Sequence, residues 1–312
     1  MPTGLPASPS LADTASQDDL GLVTQVRPQN FQEVVGQQQL KARLLTALRA
    51  ARSRHEHLDH TLVWGPPGTG KSTIASLLGE AGVLHGSFLR TPADLLTGLT
   101  RLQLMSQHGM PEFVLIEEAH GTSTRVLEAL YTYIDTHTLG ADTFPHTTII
   151  LLTTQPAMLP EPLRDRMGVQ LETGYLTTEQ LEQLVRQSSA KLRMSVEQQV
   201  GQHIGQRSRG VPRIANRLLA RVRDVAGDHV SNQQALRALA FWGIDQYGLG
   251  DHDRRYLDVL RNHHGNPVGL STVSQSLGTD NTTIQQLIEP YLIRAGFIEI
   301  TPRGRVLRRR TW

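Results

Sequence analysis

Apolar positions along this chain follow two rhythms. In the first half, short unbroken apolar runs alternate with segments whose apolar residues return every three or four positions. The runs are Thr61-Leu62-Val63-Trp64, Phe113-Val114-Leu115-Ile116 and Thr148-Ile149-Ile150-Leu151-Leu152. Their length and composition predict buried strands. Leu40, Leu44, Leu45 and Leu48 mark a helix over 38–54, and Ile74, Leu77 and Leu78 mark one over 72–80. Residues 126–134 read as a third helix, and the stretch through Leu104 is less regular. Strands alternating with helices predict a parallel sheet with helices on both faces, and ligands then bind at the carboxyl ends of the strands. From Thr177 onward the rhythm is helical, clearest over 177–192 and 213–226. A glycine-rich break at 243–250 precedes a compact α-then-β unit. Its helices are expected over 253–262, 270–277 and 282–288. A strand over 297–300, the turn Thr301-Pro302-Arg303-Gly304 and a strand from Arg305 follow. Residues 1–21 are rich in Ser, Pro, Ala and Asp without periodicity, which predicts a disordered tail.

Composition narrows the classes. The 312 residues are 38% hydrophobic, enough for two or three domains with real cores. No apolar run reaches membrane-spanning length, and residues 1–17 lack the basic-then-apolar pattern of a secretory signal. Cysteine is absent, which excludes disulfides, thiolate metal sites and a cysteine nucleophile and fits a cytoplasmic protein. The 13 histidines show no zinc-like spacing and read as scattered surface residues. Net charge is only +2, but it is unevenly spread. The segment through Gln25 carries Asp13, Asp18 and Asp19 and no basic residue. The other end carries Arg303, Arg305, Arg308, Arg309 and Arg310 with no acid after Glu299. That asymmetry suggests a phosphate-facing module; as a bare charge run it also suits a solvated tail.

Gly65-Pro66-Pro67-Gly68-Thr69-Gly70-Lys71-Ser72 fits G-x-x-x-x-G-K-[ST], between a predicted strand and a predicted helix. Glycines let such a loop wrap phosphate closely, with amides pointing inward. Lys71 would reach the β- and γ-phosphates, and the Ser72 hydroxyl would ligate Mg2+. Glu117-Glu118 ends the next apolar run. The first acid would hold the magnesium shell, and the second would polarise an attacking water. Thr153-Thr154, at the tip of the third run, could orient that water. Arg164 and Arg166 lie beyond it. One could reach a neighbouring subunit's γ-phosphate, although either also suits a surface ion pair with Asp165. Arg213 opens a helix and could reach the phosphates from there.

Together these elements resemble the RuvB family, the AAA+ motors of Holliday-junction branch migration. The resemblance rests on Arg27-Pro28, Val35-Gly36-Gln37, Leu58-Asp59-His60, the phosphate loop, Glu118-Ala119-His120, the run Pro162 to Gly168 and the run Ser208 to Leu219. Beyond these come Pro267-Val268-Gly269-Leu270, Glu289-Pro290-Tyr291-Leu292-Ile293, Gly296-Phe297 and Thr301 to Arg305. It implies an α/β P-loop AAA+ core over 22–174, an all-α lid over 175–246 and a winged-helix DNA-binding domain over 247–312. It also implies a ring, usually hexameric, with ATP and Mg2+ between subunits and duplex or four-way-junction DNA as substrate. Carried over, Val26 and Arg27 lie beside the nucleotide, and Gly68, Thr69, Gly70, Lys71, Ser72 and Thr73 hold its phosphates. Asp135 and Tyr175 join that set. Glu117 and Glu118 form the Walker B pair. Thr154, ahead of Thr153, is the sensor. Arg166, ahead of Arg164, is the finger acting in trans, and Arg213 is the lid sensor. Arg303 and Arg305 would contact DNA phosphates from the wing, with Arg308, Arg309 and Arg310 as an electrostatic extension.

Several positions depart from the family pattern. Glu117 replaces an aspartate, Val34 a tyrosine, Gln155 an arginine, and Ile300 a basic wing residue. The segment 135–147 is too short for the β-hairpin by which the family docks on RuvA, so a RuvA-type partner is not expected to bind in the usual way. Glu117 and the short hairpin also suit an alternative, a nucleotide-switched DNA-loading factor with slow hydrolysis. A winged helix alone would fit a transcription regulator.

Overall fold

The computed structural model describes residues 24–107 and 109–308. Arg309, Arg310 and the predicted tail lie outside the described residues. The chain packs as two compact units, one of Arg27–Gln180 with Val211–Arg213, the other of Leu181–Gly210 with Ile214 onward.

The first unit is built on a parallel sheet. Its strands are β1 (Thr61–Trp64), β2 (Ala81–His85), β3 (Phe113–Glu117), β6 (Thr148–Thr153) and β7 (Val169–Glu172), in the order β2-β3-β6-β1-β7. A small antiparallel pair, β4 (Thr138–Leu139) and β5 (Asp142–Thr143), lies outside it. Successive side chains of a strand point to opposite faces, and each apolar run is divided accordingly. Val114, Ile116, Ile149 and Leu151 pack with the helices Pro92–Met105 and Thr124–Thr136. Phe113, Leu115, Ile150 and Leu152 pack on the other side with Gln38–Ser53 and Ile74. Continuous apolar runs are what a sheet covered on both faces requires.

Two local expectations are corrected. The helix after the phosphate loop runs only Lys71–Ala75. Beyond it the amides of Leu77 and Leu78 donate to residues three back, Ile74 and Ala75. This tighter winding ends the helix, and the chain turns into β2. The less regular stretch holds β2 and the helix Pro92–Met105. That helix has a full capping box from Thr91 and Asp94, with Pro92 in its first turn, a signature readable in Thr-Pro-Ala-Asp.

In the second unit, the helices Gln198–Arg207 and Asn232–Phe241, with Pro212–Ala226 from Ile214 onward, accompany a short parallel pair, β8 (Ser195–Val196) and β9 (His229–Val230). The winged helix follows. It comprises Asp251–Asn262, Leu270–Leu277, a third helix of three segments and the hairpin β10 (Ile298–Thr301) and β11 (Gly304–Leu307). The third helix runs through Asn281–Thr283, a π turn Ile284–Ile288 and Glu289–Arg294. Pro290 lacks the N–H an α-helix would use there, and a widened turn accommodates it. Val268 adds a second partner to β11 through Arg305.

Candidate functional site

The candidate site is assembled at the carboxyl ends of three neighbouring strands. β6 lies between the strand that feeds the phosphate loop and the strand that ends in the two acids. Its last residue, Thr153, is fully buried and joins both sides. Its carbonyl accepts the Gly65 N–H at 3.3 Å, and its hydroxyl lies 3.0 Å from His120 Nδ1. His120 Nε2 in turn lies 3.4 Å from Glu118 Oε2. Glu118 sits at φ 49°, a left-handed turn that directs the chain out of β3. The structure thus brings Thr153, His120 and Glu118 into one polar line. Thr154, favoured from sequence, stands one residue beyond the strand and is half-buried. His120 had no role in the sequence reading; its signal was its place two residues after an acid at a strand end. Glu117 closes β3, paired across to His85 of β2.

The phosphate loop is stapled by its own side chains. Lys71 Nζ donates to the carbonyls of Gly65 and Pro66 at 2.9 and 3.0 Å. Burial pulls its pKa below the ordinary lysine value, partly offset by the Glu118 charge. Thr69 donates to the Pro66 carbonyl at 2.7 Å and shares a hydrogen bond with Thr173 at 2.7 Å. Gly68 has φ 74°, and a Cβ there would meet Val211 Cγ1 at 2.8 Å and Arg213 Cβ at 3.1 Å. Arg213 donates its backbone N–H to the Gly68 carbonyl at 3.3 Å. The structure therefore sets the Arg213 backbone against the loop. Arg27 donates to Ser76 Oγ at 2.9 Å, at the end of the helix that carries Ser72 and Thr73. Val26 is buried. Tyr175 follows Gly174, whose N–H and carbonyl are both held by the Gln37 side chain, at 3.1 and 2.7 Å.

Arg166 and Asp135 form one construction. Arg166 Nε donates to both Asp135 oxygens at 3.1 Å, Nη2 to Oδ2 at 2.9 Å, and Nη1 to the Pro162 carbonyl at 2.9 Å. Its guanidinium lies 5.5 Å from the Tyr131 ring centre. The pair lowers the Asp135 pKa and raises that of Arg166. Arg166 thus pairs with Asp135 and not with Asp165, the partner that the sequence offered.

The histidines are not all scattered. His57, His60, His137 and His146 converge beside the β4–β5 hairpin, with His57 and His146 stacked 3.9 Å apart and His137 4.5 Å from His146. Burial and the three neighbouring imidazoles push His146 down to about 4. Among the described residues no group of His, Cys, Asp or Glu is arranged to hold a metal ion. No helix among them is long and apolar enough to cross a membrane.

The wing also differs from expectation. Arg305 does not offer its guanidinium to solvent: it donates to Glu289 at 2.7 and 3.2 Å, and the side chains are 11% and 3% exposed. The Tyr256 hydroxyl donates to the same carboxylate at 2.8 Å, and burial, then Glu289, raises its pKa. Arg303 remains exposed on the turn, and Arg308 faces Glu299 at 3.4 Å. Ile300 is exposed opposite Arg305.

A phosphate loop on a parallel sheet, an inserted strand with a polar tip, a lid arginine on the loop and a winged helix define an AAA+ P-loop protein with a nucleic-acid-binding type of module. Three family profiles match in succession: the Holliday junction DNA helicase RuvB P-loop domain over 26–173, the RuvB AAA lid domain over 176–245 and the RuvB C-terminal winged-helix domain over 246–312. The Holliday junction branch migration complex subunit RuvB of Koribacter versatilis is 36% identical over 308 aligned residues, covering 93% of this chain and 85% of that protein. The solved Thermotoga maritima RuvB Holliday junction branch migration motor superposes with a TM-score of 0.79 at 34% identity, over 91% of this chain and 96% of that one. Cdc6p of Pyrobaculum aerophilum shares the fold at 17% identity, with a TM-score of 0.55 over 91% and 92% of the two chains. The chain belongs to the RuvB family.

Proposed function

We propose that this chain is an ATP-driven, ring-forming motor that moves duplex DNA at Holliday junctions. The observation that carries the proposal is the joint closure of the loop, with Lys71 buried against the Gly65 and Pro66 carbonyls and Arg213 seated on Gly68. Two relatives that align over most of both chains are named as a Holliday junction branch migration complex subunit and a Holliday junction branch migration motor.

The glycine cradle and the buried lysine suit a nucleoside triphosphate. The Ser72 hydroxyl and the Glu117 carboxylate are the hard oxygen donors that Mg2+ prefers. Bound there, the ion would neutralise phosphate charge. Lys71, released from its two carbonyls, turns to the phosphates. Glu118 orients and polarises the attacking water. His120 holds that carboxylate and reports to Thr153, so a shift at either strand tip is felt at the other. Thr154, beyond the strand, faces the role of contacting the γ-phosphate. Arg166 completes the site of the neighbouring subunit, and in a hexameric ring Asp135 orients it for that role. Val26, Arg27 and Tyr175 flank the base. In the wing, Arg303 and Arg308 contact DNA phosphates, and Arg305 supports them from inside.

The β4–β5 hairpin has two residues in each strand, so RuvA is not engaged through a long docking hairpin. This favours a second reading, a nucleotide-switched factor that assembles on DNA and recruits another protein. The deciding experiment is ATP hydrolysis by the purified chain, alone and with duplex or four-way-junction DNA, without RuvA. Strong stimulation by DNA supports the motor. Nucleotide-dependent DNA binding with little turnover supports the switch. Saturable, tight binding of a RuvA C-terminal domain would overturn the partner reading.

A further inference from the structure

The loop ahead of the lid arginine is anchored in a way that neither the phosphate loop nor DNA contact explains. Arg209 is a non-glycine residue at φ 55°, a conformation that ordinary side chains adopt only when their surroundings enforce it. Its side chain is 9% exposed. Nε and Nη2 both donate to the Gly248 carbonyl, at 2.9 and 2.6 Å, and Nη2 donates to the Asp253 carboxylate. The guanidinium lies 4.5 Å from the centre of the Tyr291 ring. The Arg209 carbonyl accepts from Arg294. Four of the fixing groups therefore belong to the winged helix or its entry.

Those groups are themselves fixed. Asp253 also accepts the Gly250 N–H at 2.8 Å, so it caps the first helix of the winged helix while holding Arg209. Gly248 has φ 73°, and a Cβ there would lie 2.4 Å from the Arg207 carbonyl. Nothing larger than glycine lets the two segments meet. The Tyr291 hydroxyl donates to the Tyr247 carbonyl at 2.6 Å. Tyr291 is two residues from Glu289, which grips Arg305 of the wing. The helix Glu289–Arg294 thus carries both Tyr291, which meets Arg209, and Glu289, which holds Arg305 of β11. On the other side, Arg209 is followed by Gly210 and by Val211–Arg213, the segment that sits on the phosphate loop.

We propose that Arg209 is the positioning residue that couples nucleotide state to the winged helix. The segment on Gly68 responds to the phosphates. Arg209, fixed on Asp253, Gly248 and Tyr291, passes that response to the DNA-binding module. The planar guanidinium is required because it forks onto a carbonyl and a carboxylate while stacking on a ring, which an ammonium cannot do. This inference rests on nucleotide binding at the phosphate loop but not on motor activity.

The test compares the full chain with its Arg209→Lys and Tyr291→Leu variants. Hydrogen exchange of the peptides spanning 248–253 and 289–294 is followed with and without a non-hydrolysable ATP analogue and Mg2+. The parent should show nucleotide-dependent protection there, and both variants should lose it while still binding the analogue. By linkage, DNA should change the affinity of the parent for the analogue by roughly five- to a hundredfold, and that change should vanish in Arg209→Lys. Basal hydrolysis should stay at the parental level while stimulation by DNA is lost. Parental exchange that ignores nucleotide would overturn the inference, as would an Arg209→Lys variant with full coupling. If the parent couples but never hydrolyses faster on DNA, the motor reading fails and the role of Arg209 stands. Should Arg209→Lys unfold, Tyr291→Leu, which keeps both hydrogen-bond partners, decides.

Discussion

Removing Arg305 should destabilise the winged helix rather than strip it of a phosphate contact. The guanidinium is 11% exposed and its carboxylate partner 3% exposed. In Arg305→Ala, Glu289 would stay buried with only the Tyr256 hydroxyl donating to it. Breaking a buried pair from one side costs about 3–5 kcal/mol, because an uncompensated charge remains. The low end, about 3 kcal/mol, applies here, since Tyr256 persists and water can enter where the arginine was. For a winged helix spanning 246–312 that loss is roughly a 12–24 °C fall in the midpoint of its unfolding. Calorimetry of the full chain reads this directly. The triple change Tyr256→Phe, Glu289→Leu and Arg305→Met removes every polar group of the cluster. It should recover all but about 1 kcal/mol, because apolar replacements of buried pairs are tolerated. DNA binding supplies the opposite control. Loss of a phosphate contact lowers the slope of log affinity against log salt by about 1. At a temperature where Arg305→Ala is folded, its slope should match the parent, whereas Arg303→Ala should lose about one. An Arg305→Ala protein that melts with the parent and loses salt slope would refute the reasoning, and Arg305 would then be a DNA ligand.

The other predictions concern the ATPase unit. Mixing Lys71→Ala with Arg166→Ala, each inactive alone, should restore part of the hydrolysis, because some sites then pair an intact loop with an intact finger; absence of any recovery would argue against action in trans. Glu117→Asp should raise turnover severalfold if a shorter carboxylate sits better on the magnesium shell, and a fall in steady-state rate would mean that the site is built around glutamate. His146 is held near 4 when folded, against 6.5 for an ordinary histidine. The unfolded chain therefore takes up its proton first, and stability should fall as pH drops from 6.5 towards 4. His60 is lowered as well, by burial and by His137, although Asp59 and Asp135 oppose the shift, so it adds to the same slope. Thermal melts between pH 6.5 and 5 should show the decline, and His146→Gln should flatten it.

The central strands were legible because a sheet covered on both faces leaves unbroken apolar runs, and β1, β3 and β6 carry them. β2 was not, because it lies at the sheet edge: Ala81-Gly82-Val83-Leu84-His85 contains a glycine and leaves Val83 exposed. The phosphate loop and the acid pair could be read from order alone, since their chemistry lies in contiguous residues. The line from Thr153 through His120 to Glu118 could not, because it exists only once β6 is inserted between β1 and β3. The same insertion explains the histidines. His57 and His60 precede β1, His146 precedes β6, and the pairing of those strands brings together residues almost ninety positions apart.

Charge on the wing shows the limit most clearly. A cluster of arginines after the last acid reads as a surface for phosphate, and for Arg303 the structure agrees with exposure. Arg305 is different because its partner lies sixteen residues earlier, on another element. The usable signal was in that partner. Glu289 sits among Ile288, Pro290, Tyr291 and Leu292, and a carboxylate on an otherwise apolar turn needs a buried cation and further donors to be tolerated. A search for what could satisfy Glu289 would have led to Arg305 and Tyr256. The same reasoning applied to Asp253, buried at the start of a helix, would have led to Arg209. In this domain the buried acids, more than the exposed bases, show how the winged helix is joined to the lid that carries it.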